Sequence, residues 1–124
     1  MKQKVAILGA SDRPDRYAHM AFKMLQEYGH TPVLVNPTLQ EIESTKVFKD
    51  LTAIQDQKID TLTLYVNPQR LEAYVDQILA LKPKRVIFNP GTESRGIEEK
   101  LRAAGIEAME ACTLVLLRTN QFEK

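Results

Sequence analysis

Gly9, Ser11, Arg13 and Arg16 stand close behind one another and carry the clearest chemical signal in the chain. They follow the apolar run Val5-Ala6-Ile7-Leu8 and precede a segment with helical periodicity. A run of this kind suits a buried parallel strand, and a glycine at its end lets the backbone turn sharply into a helix. Unpaired N–H groups and the helix dipole converge at a helix start, so anions bind there, and two arginines would add charge with forked donor geometry. With Ala10 inside the turn, these residues point to a phosphate-ester site. An ordinary turn of an α/β domain is the alternative they leave open. A dinucleotide fingerprint needs G-x-G-x-x-G, and this loop has only Gly9, with Ser11 and Pro14 where the later glycines would fall.

The elements that must position the loop follow from periodicity. Ala18, Ala21, Phe22, Leu25 and Tyr28 recur at helical spacing and Gly29 closes the segment, which predicts the first crossover helix. Strands are expected at Thr31 to Val35, at a short edge near Lys46 to Phe48, at Thr61 to Val66, at Arg85 to Phe88 and at Glu107 to Met109. Thr38 to Lys58 is otherwise irregular. A helix stripe of Leu71, Tyr74, Val75, Ile78 and Leu79 runs to about Leu81, where Lys82-Pro83 ends it, and another helix spans about Ser94 to Ala104. The tail from Thr113 reads as a short helix that frays. Strand and helix alternate throughout, which predicts a single Rossmann-like α/β domain over residues 1–124. Its mostly parallel sheet would lie between helical layers, with strand order 3-2-1-4-5-6.

Asn36-Pro37, Asn67-Pro68 and Asn89-Pro90 each close a strand. Proline is a common terminator and asparagine a common turn residue. In a parallel sheet, however, all carboxyl ends share one rim, so the pairs could together line a groove with amide and carbonyl groups. Asn36 also stands where NAD sites of this build usually place an acid for the ribose hydroxyls.

Composition narrows the function classes. A net charge of +1 gives no global field to recruit nucleic acid or an anionic membrane, so phosphate binding must come from local placement. No segment approaches the about 18 consecutive apolar residues of a membrane span, and Met1-Lys2-Gln3-Lys4 runs straight into a strand, so a cytoplasmic protein is expected. One cysteine forms no internal disulfide and supplies no zinc site alone. Catalytic chemistry has little to work with: no metal-ligand spacing and no supported triad order is present. His19, in the first helix turn, could touch a ligand, whereas His30 beside Gly29 reads as exposed. Glu93, Glu98 and Glu99 suit a dipole-compatible first helical turn. Cys112 is expected at the carboxyl rim, either as a packing residue or near a passing ligand.

The chain resembles the small stand-alone CoA-binding proteins, whose domain is also the nucleotide-binding domain of the succinyl-CoA synthetase α subunit. The resemblance rests on Val5-Ala6-Ile7-Leu8-Gly9-Ala10-Ser11 with Arg13, Pro14 and Arg16, on Val33-Leu34-Val35-Asn36-Pro37, on Val47-Phe48 with Leu51, and on Ala104-Gly105-Ile106 and Cys112. It covers nearly the whole length. It implies that Gly9, Ala10, Ser11, Arg13, Arg16, Asn36 and Pro37 hold the ADP and pyrophosphate of CoA; Asn67 and Asn89 are further candidates from their place on the rim alone. Where the family commonly has Phe-Arg after its third long strand, this chain has Val66-Asn67, and a basic residue is missing there. A non-catalytic binder of CoA is the expected function, with ADP or NAD(P) as alternative ligands. An oxidoreductase-like NAD(P) domain and a regulatory partner of a CoA-utilising enzyme are the rival classes. Neither a protein partner nor a second copy of the chain is excluded.

Overall fold

The computed structural model describes residues 2–123. The elements are β1 (Lys4–Leu8), α1 (Tyr17–Glu27), β2 (Thr31–Val35), β3 (Glu41–Ile42), β4 (Thr45–Phe48), β5 (Thr61–Leu64), α2 (Pro68–Leu71), α3 (Val75–Leu81), β6 (Arg85–Phe88), α4 (Arg95–Ala103), β7 (Glu107–Glu110) and α5 (Thr113–Arg118). They form one sheet of seven strands in the order β3-β4-β2-β1-β5-β6-β7, parallel except for the β3–β4 pair. This is the expected Rossmann-like α/β class. The order differs in detail from the one expected because β3 adds an antiparallel edge. Glu43 and Ser44, which join β3 to β4, both have left-handed φ angles, of 48° and 67°. A two-residue hairpin turn demands such angles and usually advertises them with Asn-Gly, which explains why Glu-Ser gave no signal.

Strand alternation sorts the core into two layers. Ala6, Leu8, Leu62, Leu64, Val86 and Phe88 face one side, under Leu71, Ile78, Ile97 and Leu101 from α2, α3 and α4. Val5, Ile7, Leu34 and Ile87 face the other, under Ala18, Phe22, Leu25 and Leu117 from α1 and α5. Register then levels the carboxyl ends of five strands, since Leu8 pairs with Val35 and Leu64, Leu64 with Phe88, and Phe88 with Glu110. The next residues, Asn36, Gly9, Tyr65 and Asn89, therefore stand side by side along one rim.

Two helical expectations change in detail. The segment after Asn67 is not one helix, because a tighter turn at Glu72–Tyr74 separates α2 from α3, and Lys82 closes α3 in the left-handed conformation ahead of Pro83. The chain after α5 stays packed: Phe122 is buried, its ring lies 5.0 Å from that of His30 and the Arg85 guanidinium sits over it at 4.6 Å. Lys124, the very end of the expected fraying tail, lies outside the described residues. At the opposite end of the sheet from the rim, Lys2 pairs with Glu123 at 3.2 Å.

His30 is buried there rather than exposed. Its Nδ1 accepts from the Gln3 N–H at 3.0 Å, so the ring is neutral at that nitrogen, while Nε2 faces Glu123 at 3.4 Å. Burial lowers its pKa below the ordinary 6.5, and Glu123 only partly opposes this. The unfolded chain therefore takes up a proton that the folded chain resists, and stability must fall as pH drops through the ordinary histidine range. Urea melts at about pH 7.5 and 5 should show this loss, with a smaller loss in His30→Gln; equal losses in the two proteins would rule His30 out as its source.

Candidate functional site

A cavity of about 540 Å³ opens at the carboxyl rim above β1, β2 and β5. Gly9, Ala10, Ser11, Arg13, Arg16, Asn36, Pro37 and Asn67 all line it, so eight of the nine positions singled out from the sequence meet in one place. Asn89 does not line it.

The loop after β1 is pinned from several sides. The N–H groups of Gly9 and Ala10 both donate to the Val35 carbonyl, at 3.0 and 3.1 Å. They are thus not the free donors that a turning glycine suggests. Gly9 is required for a steric reason: its φ is +93°, and a Cβ there would lie 2.9 Å from the Tyr65 carbonyl oxygen and 3.1 Å from Val66 Cγ1. Ser11 Oγ accepts from the Arg13 N–H at 3.1 Å, and the Ser11 carbonyl accepts from His19 Nδ1 at 2.9 Å. His19 Nε2 reaches Glu43 at 3.0 Å, so the buried ring ties the loop to the β3–β4 turn and does not itself line the cavity. The donors left for a ligand are the N–H groups of Ser11 and Asp12 and those of Tyr17 and Ala18 in the first turn of α1, which carry no bond among the described residues.

The three Asn-Pro pairs turn out to serve the fold locally. Asn36 Nδ2 donates to the Ala10 carbonyl at 2.8 Å while its Oδ1 accepts from the N–H groups of Thr38 and Leu39 at 2.8 and 3.1 Å, so it holds two rim loops together. Asn67 caps α2, accepting from the Arg70 N–H at 2.8 Å. Asn89 is buried, with Nδ2 donating to Thr63 Oγ1 and the Leu64 carbonyl at 2.7 and 2.9 Å and Oδ1 accepting from the Thr113 N–H at 2.9 Å. Its amide is consumed in joining β5, β6 and α5, which is why it offers nothing to the groove. Glu93 and Glu98 serve locally too, accepting from the Gly91 and Ser94 N–H groups at 2.9 and 3.3 Å.

Sequence reasoning missed Arg70, Tyr74, Thr38, Tyr65 and Thr92 in the lining. Arg70 brings a basic side chain to the lining three positions after Asn67. Its signal was available: a residue in the first turn of a helix that follows a rim asparagine projects beside that rim. The buried Tyr65 hydroxyl has no partner among the described residues, and burial pushes its pKa up to about 12. Cys112 is half-buried just before α5 and lies outside the lining. Arg13, Arg16 and Arg70 outnumber the cavity's one carboxylate, Asp12, and no described residue forms an ion pair with any of the three arginines. An open cavity with three unpaired guanidinium groups beside a helix start suits a polyanion.

The CoA binding domain model matches residues 3–118 of this chain. The chain belongs to the CoA-binding domain family. Among relatives, a Bacillus subtilis (strain 168) protein described as uncharacterized, YneT, is 34% identical over 77 residues, 62% of this chain and 56% of that one, so the match spans about half of that relative's length. Among solved structures, an uncharacterized protein superposes with a TM-score of 0.92 at 41% identity, covering 98% of this chain and 99% of the other. A domain of the dinucleotide forming acetyl-coenzyme A synthetase 1 of Ca. Korarchaeum cryptofilum, solved with phosphate and ADP, superposes with a TM-score of 0.69 at 19% identity over 86% of this chain and 25% of that one. At that identity the likeness is one of fold. No helix among the described residues is long and apolar enough to cross a membrane.

Proposed function

We propose that this CoA-binding domain chain is a single, non-catalytic CoA-binding unit whose rim cavity takes the ADP and pyrophosphate part of the ligand. The observation that carries the reading is the convergence of Gly9, Ala10, Ser11, Arg13, Arg16, Asn36, Pro37 and Asn67 on one cavity in a chain whose family match runs through residues 3–118. In this reading the diphosphate lies over the start of α1, taking N–H groups from the loop and the forked donors of Arg13 and Arg16. Gly9, Ala10 and Asn36 shape the loop, and Pro37 and Asn67 wall the cavity. Support for binding rather than turnover comes from the lining, where the titratable side chains are Asp12, three arginines and three tyrosines, with no histidine, cysteine or glutamate. Asn36 in place of an acid, with its oxygen already engaged, argues against a ribose-binding NAD site. Cytoplasmic residence fits a ligand of this kind.

Calorimetry with CoA, ADP, NAD and NADP tests the proposal. CoA should bind tightest; tightest binding by NADP with no response to CoA would overturn it. Arg13→Ala should weaken CoA by about 1.5 to 3 kcal/mol, roughly 10- to 150-fold, because a charge-assisted bond to phosphate is lost. Turnover of a nicotinamide by the isolated chain would reject the non-catalytic assignment.

A further inference from the structure

A second hollow of about 520 Å³ adjoins the first and shares Pro37, Arg70 and Tyr74 with it. Lys49, Asp50, Ala73 and Gln77 complete its lining. Its polar groups differ in what they have left to offer. Asp50 Oδ1 accepts from the Ala53 N–H at 3.0 Å, and Gln77 Oε1 accepts from the Leu51 N–H at 2.9 Å, so one acceptor oxygen of each side chain is engaged by the backbone after β4. The Gln77 amide NH₂ keeps its donors. Lys49 and Arg70 form no ion pair among the described residues, although other lysines and arginines of this chain do. Two unpaired cations and a spare amide donor thus flank a hollow that continues a cavity already rich in arginine.

Taken together, the two hollows bring Arg13, Arg16, Arg70 and Lys49 to one stretch of rim against Asp12 and Asp50. The whole chain carries only +1, so this excess is a local arrangement. The divided shape also matters. One anion over the start of α1 would lie outside the hollow that holds Lys49, because Lys49 lines only the second. A ligand that satisfies both carries two separate anionic groups on a body that spans the wall the hollows share, formed by Pro37, Arg70 and Tyr74.

Resting on the CoA reading above, we propose that the second hollow is the subsite for the ribose 3′-phosphate, with Lys49 and Arg70 as its cationic contacts and Gln77 as a neutral donor. Lys49 sets the chain's preference for 3′-phosphorylated CoA over dephospho-CoA, which keeps the diphosphate and loses only that group. Arg70, shared by the two hollows, serves both anions and so cannot separate them.

The experiment is a calorimetric titration of wild type and Lys49→Ala with CoA and with dephospho-CoA. Lys49 is not part of the buried core, so its removal leaves that core untouched, and thermal melts of the two proteins should coincide. Wild type is expected to bind CoA about tenfold or more tightly than dephospho-CoA, and Lys49→Ala to erase most of that ratio by weakening CoA alone. Equal affinity of wild type for the two ligands, or equal weakening of both in Lys49→Ala, overturns the subsite and leaves the CoA reading standing. Failure of wild type to bind either ligand overturns the CoA reading and the subsite with it.

Discussion

Gly9→Ala is expected to destabilise the protein by about 3 kcal/mol, the sum of a left-handed backbone cost of about 1 to 2 kcal/mol and an overlap cost of about 1 to 3. Both parts are visible in the structure. The φ of +93° is one that L side chains rarely adopt, and the added Cβ would meet backbone, the Tyr65 carbonyl at 2.9 Å, which cannot swing aside as a flexible side chain can. Gly91→Ala separates the two parts, because its φ of +94° is equally unfavourable while nothing lies within 4 Å of where the added Cβ would stand. It should therefore lose only the backbone part, about 1 to 2 kcal/mol. Chemical denaturation of the three proteins checks this, and a Gly9→Ala loss no larger than that of Gly91→Ala would remove the steric argument. The same shift should disturb the loop that carries Ser11 and Arg13, so the surviving folded Gly9→Ala protein should also bind CoA more weakly.

Asn89→Ala should cost about as much for a different reason. Removing the amide strands the Thr113 N–H and the Leu64 carbonyl without their partner and takes a donor from Thr63 Oγ1, all in a buried setting. At roughly 1 to 3 kcal/mol for each buried group left unsatisfied, partly relieved by relaxation, a total of about 3 to 4 kcal/mol is expected in urea denaturation. That is a large part of the about 5 to 15 kcal/mol a domain of this kind has. CoA affinity of the folded fraction should stay near wild type, since Asn89 lies outside the cavity. A variant of wild-type stability with impaired binding would return Asn89 to the ligand site.

The fold was legible because its signals are local and repeat. Apolar runs at Val5 to Leu8 and Val86 to Phe88 fall in strands, and a proline or glycine marks many of the boundaries. What escaped notice lacks a local signal. The Glu43-Ser44 turn uses residues that seldom accept left-handed angles, and the break at Glu72–Tyr74 interrupts a stripe whose apolar spacing is unbroken. For the site, the rim rule brought eight of nine positions to the cavity because parallel register aligns the strand ends. It could not say which amides face a ligand. Asn36 and Asn89 each precede a proline, yet one is half-buried in a loop junction and the other buried between β5 and α5, a difference set by partners far away in sequence. The burial of His30 and Phe122 has no local sign for the same reason, since their mutual packing joins segments far apart in the chain.

The Lys2–Glu123 pair and the packed Phe122 close the described chain into a near-ring at the end of the sheet away from the cavity. A linker joining Lys2 to Glu123 would never cross the rim, so the described unit is suited to circular permutation. New ends opened at the exposed Gln55–Asp56 stretch would likewise fall outside both hollows. The rim that carries the cavity and the face that carries Lys2 and Glu123 are thus separate, and a fusion partner can be carried at one without obstructing the other.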